Sequence, residues 1–401
     1  MNVCMIAYSF YEGDNRVMRY AEALAARGDE VDVFALRHEG QQKVEVLNDV
    51  RVFRIQSRQR NEKTKWSYLL RILMFFLRAL VRVALKHARQ RYEFVHVHSV
   101  PDFLVFAAAS TRLTGARIVL DIHDLSPELY GTKFRSASGS AMFFALLAIE
   151  RLSAAFADHV IAPNHIWHQR LIGRSVAQSK CSVFMNYPDP RVFQPRGRTR
   201  RDGKVVMLYP GTLNWHQGVD IAIRAFAKVK QRVPNCEFHI YGEGPSREDL
   251  IQLAAKLGVA EGVSFHRPVS LREISSIIEN ADLGIVPKRR DSFGDEAFST
   301  KTLEFMILGV PIILAETTVD RYYFNDDVAT FFPSGDADAL AECMLKLIRD
   351  VNLRSRQVAS ARAFVNPYSW ESRSSEYLSL VDQLANIARP VESLASSSAD
   401  V

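Results

Sequence analysis

The chain has 401 residues, of which 48% are hydrophobic and 24% are charged, and at ~100–200 residues per domain this length predicts two or three domains. Ordinary glycine and proline contents and 10% aromatic residues exclude the fibrous and disordered classes. The net charge is +6 and is unevenly spread, because residues 51–92 carry twelve basic residues and a single acid, Glu62. That stretch predicts an anionic partner, and nucleic acid, acidic lipid and phosphorylated substrates all satisfy it on charge.

Cysteine usage indicates a reducing compartment, and hydropathy indicates that no helix spans a membrane. The four cysteines lie far apart and form no Cys-x-x-Cys pair, which predicts neither a disulfide framework nor a zinc site; they are Cys4, Cys181, Cys236 and Cys343. The first eight residues are typical of a buried strand rather than a signal peptide. The most apolar stretch, 66–88, contains four basic residues, so we predict no spanning helix and leave surface contact open.

In the first half of the chain, short apolar runs alternate with longer segments of helical period. The predicted strands are 2–8, 30–36, 94–98, 117–122, 158–162 and 181–185. The predicted helices are 16–27, 66–90, 102–113, 140–156 and 164–172. This order is typical of successive βαβ units, which cover a parallel sheet on both faces.

The alternation stops at 189–203, a segment rich in proline and then in arginine, which predicts a linker. It then resumes with predicted strands at 204–209, 236–241, 262–266, 282–286, 311–314 and 328–332. The predicted helices are 218–232, 246–257, 271–279, 299–308 and 336–349. The predicted fold class is α/β, with two Rossmann-like domains, 1–188 and 204–366, facing a central cleft. Residues 367–389 are predicted to form a helix, and 390–401 a disordered tail.

The segment 295–313 carries the pattern that says most about function. Ser299 or Thr300 is predicted to cap a helix that ends at Gly309. The N–H groups of its first turn would form an anion site at the end of the sheet. Glu296 and Glu304 are eight positions apart, ~12 Å at ~1.5 Å per helical residue.

A pair of glycosidase carboxylates lies ~5–9.5 Å apart around one bond. Glu296 and Glu304 are therefore predicted to hold opposite ends of an extended ligand. A capped surface helix with two solvated acids is the structural alternative.

With two Rossmann-like units, the pattern Glu296-x7-Glu304 and the Gly-x-Pro strand that follows it resemble the retaining glycosyltransferases of family 4, which have the GT-B fold. The resemblance covers almost the whole chain. Its further motifs are residues 23–31, 96–98, 121–124, 183–186 with 193–195, and 240–245.

The resemblance implies a role for each matching residue. Glu296 would meet hydroxyls of the donor sugar, and Glu304 the ribose of the nucleotide. The amides around Phe298, Ser299 and Thr300 would take the diphosphate. His123 matches the family histidine that faces the sugar from the acceptor side; a structural histidine is the alternative for it.

The loop 209–220 departs from the family pattern. The family has Gly-Arg and then Lys-Gly there, whereas this chain keeps Gly211 and has Thr212 and Gln217 at the two cationic positions. Because the charge of the leaving group must be stabilised somewhere, the cation is expected elsewhere. The candidates are Lys288, Arg289, Arg290 and Lys301, of which Lys301 is favoured; a solvated loop is the alternative for 288–290. Gly244 and Arg267 are placed at the donor nucleotide.

Near the N-terminus the family has a loop with two glycines, and this chain has Gly13 alone. Gly13 lets the backbone approach a ligand, and with Asn15 and Arg16 it forms the predicted acceptor site, with Asp14 as a helix cap. Residues 336–338 spell Asp-x-Asp, which could suggest a metal–diphosphate site, but capping of a helix explains them better. We predict no metal and no cofactor, the nucleotide sugar, UDP- or GDP-linked, being a substrate.

The predicted helix 66–90 combines a basic stripe with apolar neighbours. The stripe comprises Arg71, Phe75, Arg78, Arg82, Lys86 and Arg89, and it borders Trp66, Tyr68, Leu69, Leu70, Ile72, Leu73, Met74, Phe76 and Leu77. Such a helix can lie in a membrane interface with its arginines on lipid phosphates. A core helix with a solvated basic edge is the alternative.

The sequence thus predicts a cytoplasmic retaining glycosyltransferase, with peripheral contact at the inner face of the membrane left open. It would move a sugar from a nucleotide diphosphate to a glycan acceptor, lipid-linked acceptors included, in polysaccharide or glycoconjugate biosynthesis. Nucleic acid is not a predicted partner. The alternatives are a GT-B nucleotide-sugar epimerase, a phosphorylase, and a protein that binds a nucleotide sugar without turnover. The resemblance favours a front-face mechanism, and it implies that the helix 367–389 returns to the first domain.

Overall fold

A computed structural model describes residues 1–58, 65–134 and 140–386. The chain forms two compact units. Within the described residues, one comprises Met1–Leu120, Ser153–Val160 and 374–386, and the other comprises Asp121–Leu152 and Ile161–Arg373. The boundaries drawn from the sequence at 188, 203 and 366 stay predictions. The predicted tail, 390–401, and the last residues of the predicted helix 367–389 lie outside the described residues.

The first sheet has eight strands in the order β3-β4-β2-β1-β5-β6-β7-β8. They are β1 Asn2–Phe10, β2 Glu30–Arg37, β3 Val44–Leu47, β4 Val50–Ser57, β5 Phe94–His98, β6 Arg117–Asp121, β7 His159–Ala162 and β8 Cys181–Val183. Strand β1 pairs in parallel with β2 and β5, and the edge strand β3 pairs antiparallel with β4. The helices of this half are α1 Asn15–Ala26, α2 Lys65–Arg89, α3 Ala109–Arg112, α4 Ser126–Phe134, α5 Ala141–Phe156 and α6 His165–Arg174.

The second sheet has six strands in the order β11-β10-β9-β12-β13-β14, and its neighbouring strands pair in parallel. They are β9 Val205–Pro210, β10 Cys236–Tyr241, β11 Val263–His266, β12 Leu283–Val286, β13 Ile312–Glu316 and β14 Thr330–Pro333. The helices are α7 Val219–Arg232, α8 Arg247–Lys256, α9 Leu271–Glu279, α10 Thr300–Leu308, α11 Thr318–Tyr323, α12 Ala337–Arg349, α13 Val351–Val365 and α14 Trp370–Ala385. The chain leaves β9 toward β10 on one side and returns to β12 on the other, so this pair is the switch point of the sheet.

Alternation along β9 shows how the second sheet is buried on both faces. Met207 and Tyr209 belong to one apolar core, Leu208 belongs to another, and all three side chains are inaccessible to solvent. Successive side chains of a strand point to opposite faces, so each face has its own helical cover. The predicted α/β class is confirmed, with a parallel second sheet and a first sheet in which the edge strand β3 is antiparallel to β4.

Several local predictions are corrected by the structure. The edge strands β3 and β4 and the helices α4, α11 and α13 were not predicted, and residues 102–108 form a 3-10 segment rather than the start of an α-helix. Phe75, predicted in the basic stripe, is fully buried, because Ile72, Phe75, Ala79 and Val83 form the packed face of α2.

The structure also bears on the predictions that the chain has no disulfide framework and no membrane-spanning helix. All four cysteines are free thiols. Among the helices of the described ranges, none joins the length and the apolar character that crossing a bilayer requires.

Candidate functional site

Two loops meet at the switch point of the second sheet. One follows β9 and covers 211–218, and the other follows β12 and covers 287–299. The N–H of Arg289 donates to the carbonyl of His216 at 2.8 Å. Gly218 has a φ of +67°, and a Cβ built on it would overlap the carbonyl oxygen of Pro287. The crevice outside such a switch point is where open parallel sheets bind ligands.

Helix α10 begins directly after the second loop. Ser299 is its N-cap residue, but its side chain accepts no bond from the first-turn amides, so the predicted side-chain cap is wrong. The Ser299 hydroxyl is buried and has no hydrogen-bond partner within the described residues. The predicted end of the helix is confirmed, because Gly309 closes it with a φ of +71°. The start of α10 thus keeps the anion-binding property of a helix N-terminus.

The Lys301 side chain lies over the backbone of Gly211. A Cβ built on Gly211 would overlap the Lys301 Cε and stand 2.9 Å from its Nζ. The Tyr209 hydroxyl beside them lies 2.8 Å from the Thr212 carbonyl and 3.3 Å from Gln217 Oε1. An ammonium group therefore lies beside the loop that carries Thr212 and Gln217.

Burial lowers the pKa of Lys301, and the charge of Lys288 lowers it further, while Glu304 opposes this shift. The amine is thus placed where an anion would favour its charged form.

The other three candidate cations are engaged by carboxylates. Lys288 is 3% exposed, pairs with Asp320 at 2.9 Å and donates to the Ala297 carbonyl at 2.7 Å. Arg289 binds both oxygens of Asp220 at 2.8 Å, and Arg290 lies 3.2 Å from Asp295. Of the four, and within the part of the chain that the structure describes, Lys301 is the one without a carboxylate at ion-pair distance.

Glycines allow the loop after β10 to pack against the loop after β9. A Cβ on Gly242 would overlap the Gly211 carbonyl oxygen, and one on Gly244 would stand 2.5 Å from the Leu213 carbonyl oxygen. The Leu213 N–H also donates to the Glu243 carbonyl at 2.9 Å. Gly244, predicted at the donor, therefore has a packing role that fixes the backbone around Gly211.

Glu296 lies in the turn before α10 and is held by residues of α6. Its Oε1 pairs with Arg170, and its carbonyl accepts a bond from Asn164 Nδ2 at 3.1 Å. Its other oxygen, Oε2, is buried and has no hydrogen-bond partner among the residues the structure describes. Sequence reasoning missed Arg170 and Asn164, because no local pattern links them to a glutamate more than 120 positions away.

A cavity of about 270 Å³ lies beside Glu296. Four carboxylates and one guanidinium contribute to its lining; they are Glu128, Asp291, Asp295, Glu296 and Arg170. The ring of Phe143 lines it as well. Carboxylates accept bonds from hydroxyls, and an excess of acids disfavours an anionic ligand.

His216, to which no role was assigned from the sequence, also lies at this site. Its ring stands 5.5 Å from that of Phe293, edge to face. Burial lowers its pKa; Asp291 acts against this shift, and Lys301 and Lys288 reinforce it. Its place directly before Gln217 is the signal that could have drawn attention to it.

The remaining predicted residues are placed as follows. Glu304 lies within α10, the Phe298 ring packs edge-on against Tyr323, and Arg267 is exposed after β11. His123 follows β6, where its Nε2 is 3.1 Å from Asp121 Oδ2.

The predicted acceptor residues belong to the first unit. Gly13 ends a 3-10 turn, and Asn15 and Arg16 open α1, whose predicted cap is confirmed: Asp14 accepts from the Val17 N–H at 3.2 Å. The Arg16 guanidinium lies 5.4 Å from the centre of the Tyr20 ring.

The Asp-x-Asp sequence caps α12. Asp336 accepts bonds from the N–H groups of Asp338 and Ala339, both at 2.9 Å. Capping therefore accounts for Asp336, as predicted.

Two family models match the chain. Residues 13–186 match the family described as "Glycosyl transferase 4-like domain", and residues 192–364 match "Glycosyl transferases group 1". The chain is 23% identical over 381 residues to an uncharacterized glycosyltransferase of Methanocaldococcus jannaschii, covering 89% of this chain and 90% of that protein.

Solved structures share the fold. Sucrose-phosphate synthase from Thermosynechococcus elongatus superposes with a TM-score of 0.79 at 17% identity, over 97% of this chain and 100% of that one. HepE of Anabaena, in a structure in complex with UDP-glucose, superposes with a TM-score of 0.72 at 14% identity, over 96% and 100% of the two chains.

Proposed function

We propose that this chain, a glycosyltransferase of the GT-B type, belongs to the retaining enzymes of family 4 and transfers a hexose from a nucleoside diphosphate to a glycan. The proposal depends most on one observation: Lys301, in the first turn of α10, places its ammonium group over the backbone of Gly211. Cation and helix terminus together form a site for a diphosphate, the group that leaves when the sugar is transferred.

In the proposed front-face reaction, the bond between the sugar carbon and the diphosphate oxygen breaks. The acceptor oxygen bonds to that carbon on the same face, and its proton passes to the departing diphosphate. The chain contributes position and charge. Lys301 and the first amides of α10 stabilise the diphosphate, while Glu296 and Glu304 bind sugar and ribose hydroxyls. His123 faces the sugar, and no metal or cofactor takes part.

The donor is proposed to be a nucleotide sugar, linked to UDP or GDP. The HepE structure in complex with UDP-glucose supports this class of donor. The position of Lys301 between two acids, Glu296 in the turn before α10 and Glu304 within that helix, supports it as well. Two of the alternative functions, the epimerase and the non-catalytic binding protein, are separated from a transferase by the assay below.

The test measures release of nucleoside diphosphate from UDP-glucose and GDP-mannose, with and without a polyprenyl-diphosphate-linked sugar as acceptor. We expect release that requires the acceptor, together with a glycosylated product of retained configuration. Release of free sugar without acceptor would indicate an epimerase, and binding without release would indicate a binding protein. Release that is the same in Glu296→Ala would show that the role given to Glu296 is wrong.

A peripheral position at the inner face of the membrane is proposed from α2. Opposite its packed face, this helix exposes large apolar side chains, each between 39% and 60% exposed: Leu69, Leu70, Leu73, Met74, Leu77, Val81 and Leu85. Arg78 and Arg82 are exposed beside them. An amphipathic helix whose apolar face is left uncovered by the described residues and is flanked by arginines suits an anionic bilayer surface. It would bring a lipid-linked acceptor to the enzyme.

A further inference from the structure

We propose that Arg170 is a positioning residue for Glu296, and that α6 thereby decides which carboxylate oxygen faces the donor sugar. The inference rests on the proposed function, in which Glu296 binds that sugar. It adds a residue outside the segment 295–313 and outside every motif that carries the family resemblance.

The start of α6 is fixed to the turn that carries Glu296. Asn164, the N-cap residue of α6, accepts from the Trp167 N–H at 2.8 Å through Oδ1 and donates to the Glu296 carbonyl at 3.1 Å through Nδ2. One side-chain amide therefore joins the helix to the turn. The ring of Trp167, 2% exposed, stands 5.5 Å from that of Phe293 in the same turn. The helix and the turn are thus held together by polar and apolar contacts.

Arg170 lies on this helix between two glutamates, but it is needed by only one of them. Its Nη1 is 3.3 Å from Glu128 Oε1, and its Nη2 pairs with Glu296 Oε1. Glu128 already binds Arg174 through both oxygens, at 2.6 and 3.0 Å. For Glu296, by contrast, Arg170 is the one cation at ion-pair distance within the described ranges. Loss of Arg170 therefore leaves Glu128 paired and Glu296 unpaired.

The ion pair leaves one oxygen of Glu296 available. Oε1 is paired with Arg170, while Oε2 is buried and receives no hydrogen bond from any residue in the described ranges. A buried carboxylate oxygen that lacks a donor is costly, and a ligand hydroxyl can supply the missing bond. The cavity of about 270 Å³ beside it has room for such a group. Arg170 thus turns a carboxylate with two equivalent oxygens into a single oriented acceptor for a sugar hydroxyl.

The experiment is a double-mutant cycle of Arg170→Gln and Glu296→Gln, read by calorimetric binding of UDP-glucose, GDP-mannose, UDP and GDP. We expect Arg170→Gln to weaken binding of the accepted nucleotide sugar about tenfold, the usual size of coupling between residues in contact. Binding of the free nucleoside diphosphate should stay unchanged. In the Glu296→Gln background the same substitution should have no further effect. Arg170→Lys should recover most of the affinity.

The matched control is Arg151→Gln, since Arg151 is an exposed arginine of α5 that donates to the Arg174 carbonyl at 3.0 Å and does not contact Glu296. It should leave all four affinities unchanged. Additive losses in the cycle, or an equal loss of nucleoside diphosphate binding, would overturn the positioning role alone. If the unmodified chain binds neither nucleotide sugar, the proposed function fails as well.

Discussion

Lys301 occupies the space that a methyl group on residue 211 would need. The two residues come from different elements at the switch point: Gly211 lies in the loop after β9, and Lys301 lies in the first turn of α10. Their contact joins a glycine and a lysine that are 90 positions apart in the sequence, and we predict that a change at either one affects the same catalytic step.

Substitution of Gly211 should therefore act through Lys301. We expect Gly211→Ala to displace the ammonium and lower kcat about tenfold or more, because removal of one stabilising group from such a site costs ~10²–10³ in kcat. Steady-state release of nucleoside diphosphate measures the effect. Gly173→Ala is the control, since a Cβ there meets no atom within 4 Å, and it should leave kcat unchanged.

Loss of the Lys301 charge should be partly compensated by a lysine introduced in the loop after β9. Lys301→Gln should lower kcat by ~10²–10³. Adding Gln217→Lys should restore part of that loss, because the Gln217 side chain already reaches Tyr209 beside Gly211. Equal kcat values for Lys301→Gln and the unmodified enzyme would assign the diphosphate to another cation.

The lowered pKa of Lys301 predicts a decline in activity at alkaline pH. A lysine is charged below its pKa, so a pKa lowered by burial brings the loss of charge to a pH below the usual ~10.4. We expect kcat/KM, which reports the free enzyme, to fall as pH rises through this value. The pH profile of Lys301→Arg should lack this fall, because a guanidinium stays charged throughout.

The exposed apolar face of α2 predicts binding to anionic vesicles. Leu77→Glu and Val81→Glu each place a charge on that face, and each should weaken co-sedimentation with vesicles that contain phosphatidylglycerol. Arg78→Glu with Arg82→Glu should weaken it further at low salt, at about 1 kcal/mol per basic residue removed. Leu113→Glu, at an 89% exposed position on the turn after α3, is the control. Undiminished sedimentation of the α2 variants would remove the membrane proposal.

The Asp-x-Asp sequence should affect stability and not catalysis. Asp336→Ala removes two capping bonds from α12 and should lower the free energy of unfolding by about 1 kcal/mol. Urea denaturation measures this change. Transfer activity should be unaffected by the variant and by a chelator of divalent metals. A loss of activity on chelation would contradict the expectation that no metal takes part.

Most of the secondary structure could be predicted because its signals are local. The segments 236–241 and 271–279 have the bounds in the structure that the pattern gave them. Strand β4 was not predicted, and Arg51 and Arg54 interrupt its apolar residues. Arg54 is in fact buried against Glu12 and Glu45, and no local rule pairs these residues.

The candidate site, too, was predictable only where its signals are local. The start of α10 and the selection of Glu296 and Lys301 as candidate residues follow from one short stretch of sequence. The contact of Lys301 with Gly211 and the pairing of Glu296 with Arg170 depend on how distant segments pack. For α2 the helical spacing of three and four residues was correct, but Phe75 belongs to the buried face and not to the basic stripe. The same period fits the arginines and the buried face through Phe75, and only packing distinguishes the two.

The interlocked glycines of the second sheet have a consequence for engineering. Gly242 and Gly244 fix the path of the loop after β9 through its backbone. With Lys301 of α10 as the proposed cation, we expect the side chains at 212 and 214–216 to need no charge. Those positions can be varied in combinatorial libraries that seek altered nucleotide preference, while Lys301 and the first turn of α10 stay unchanged.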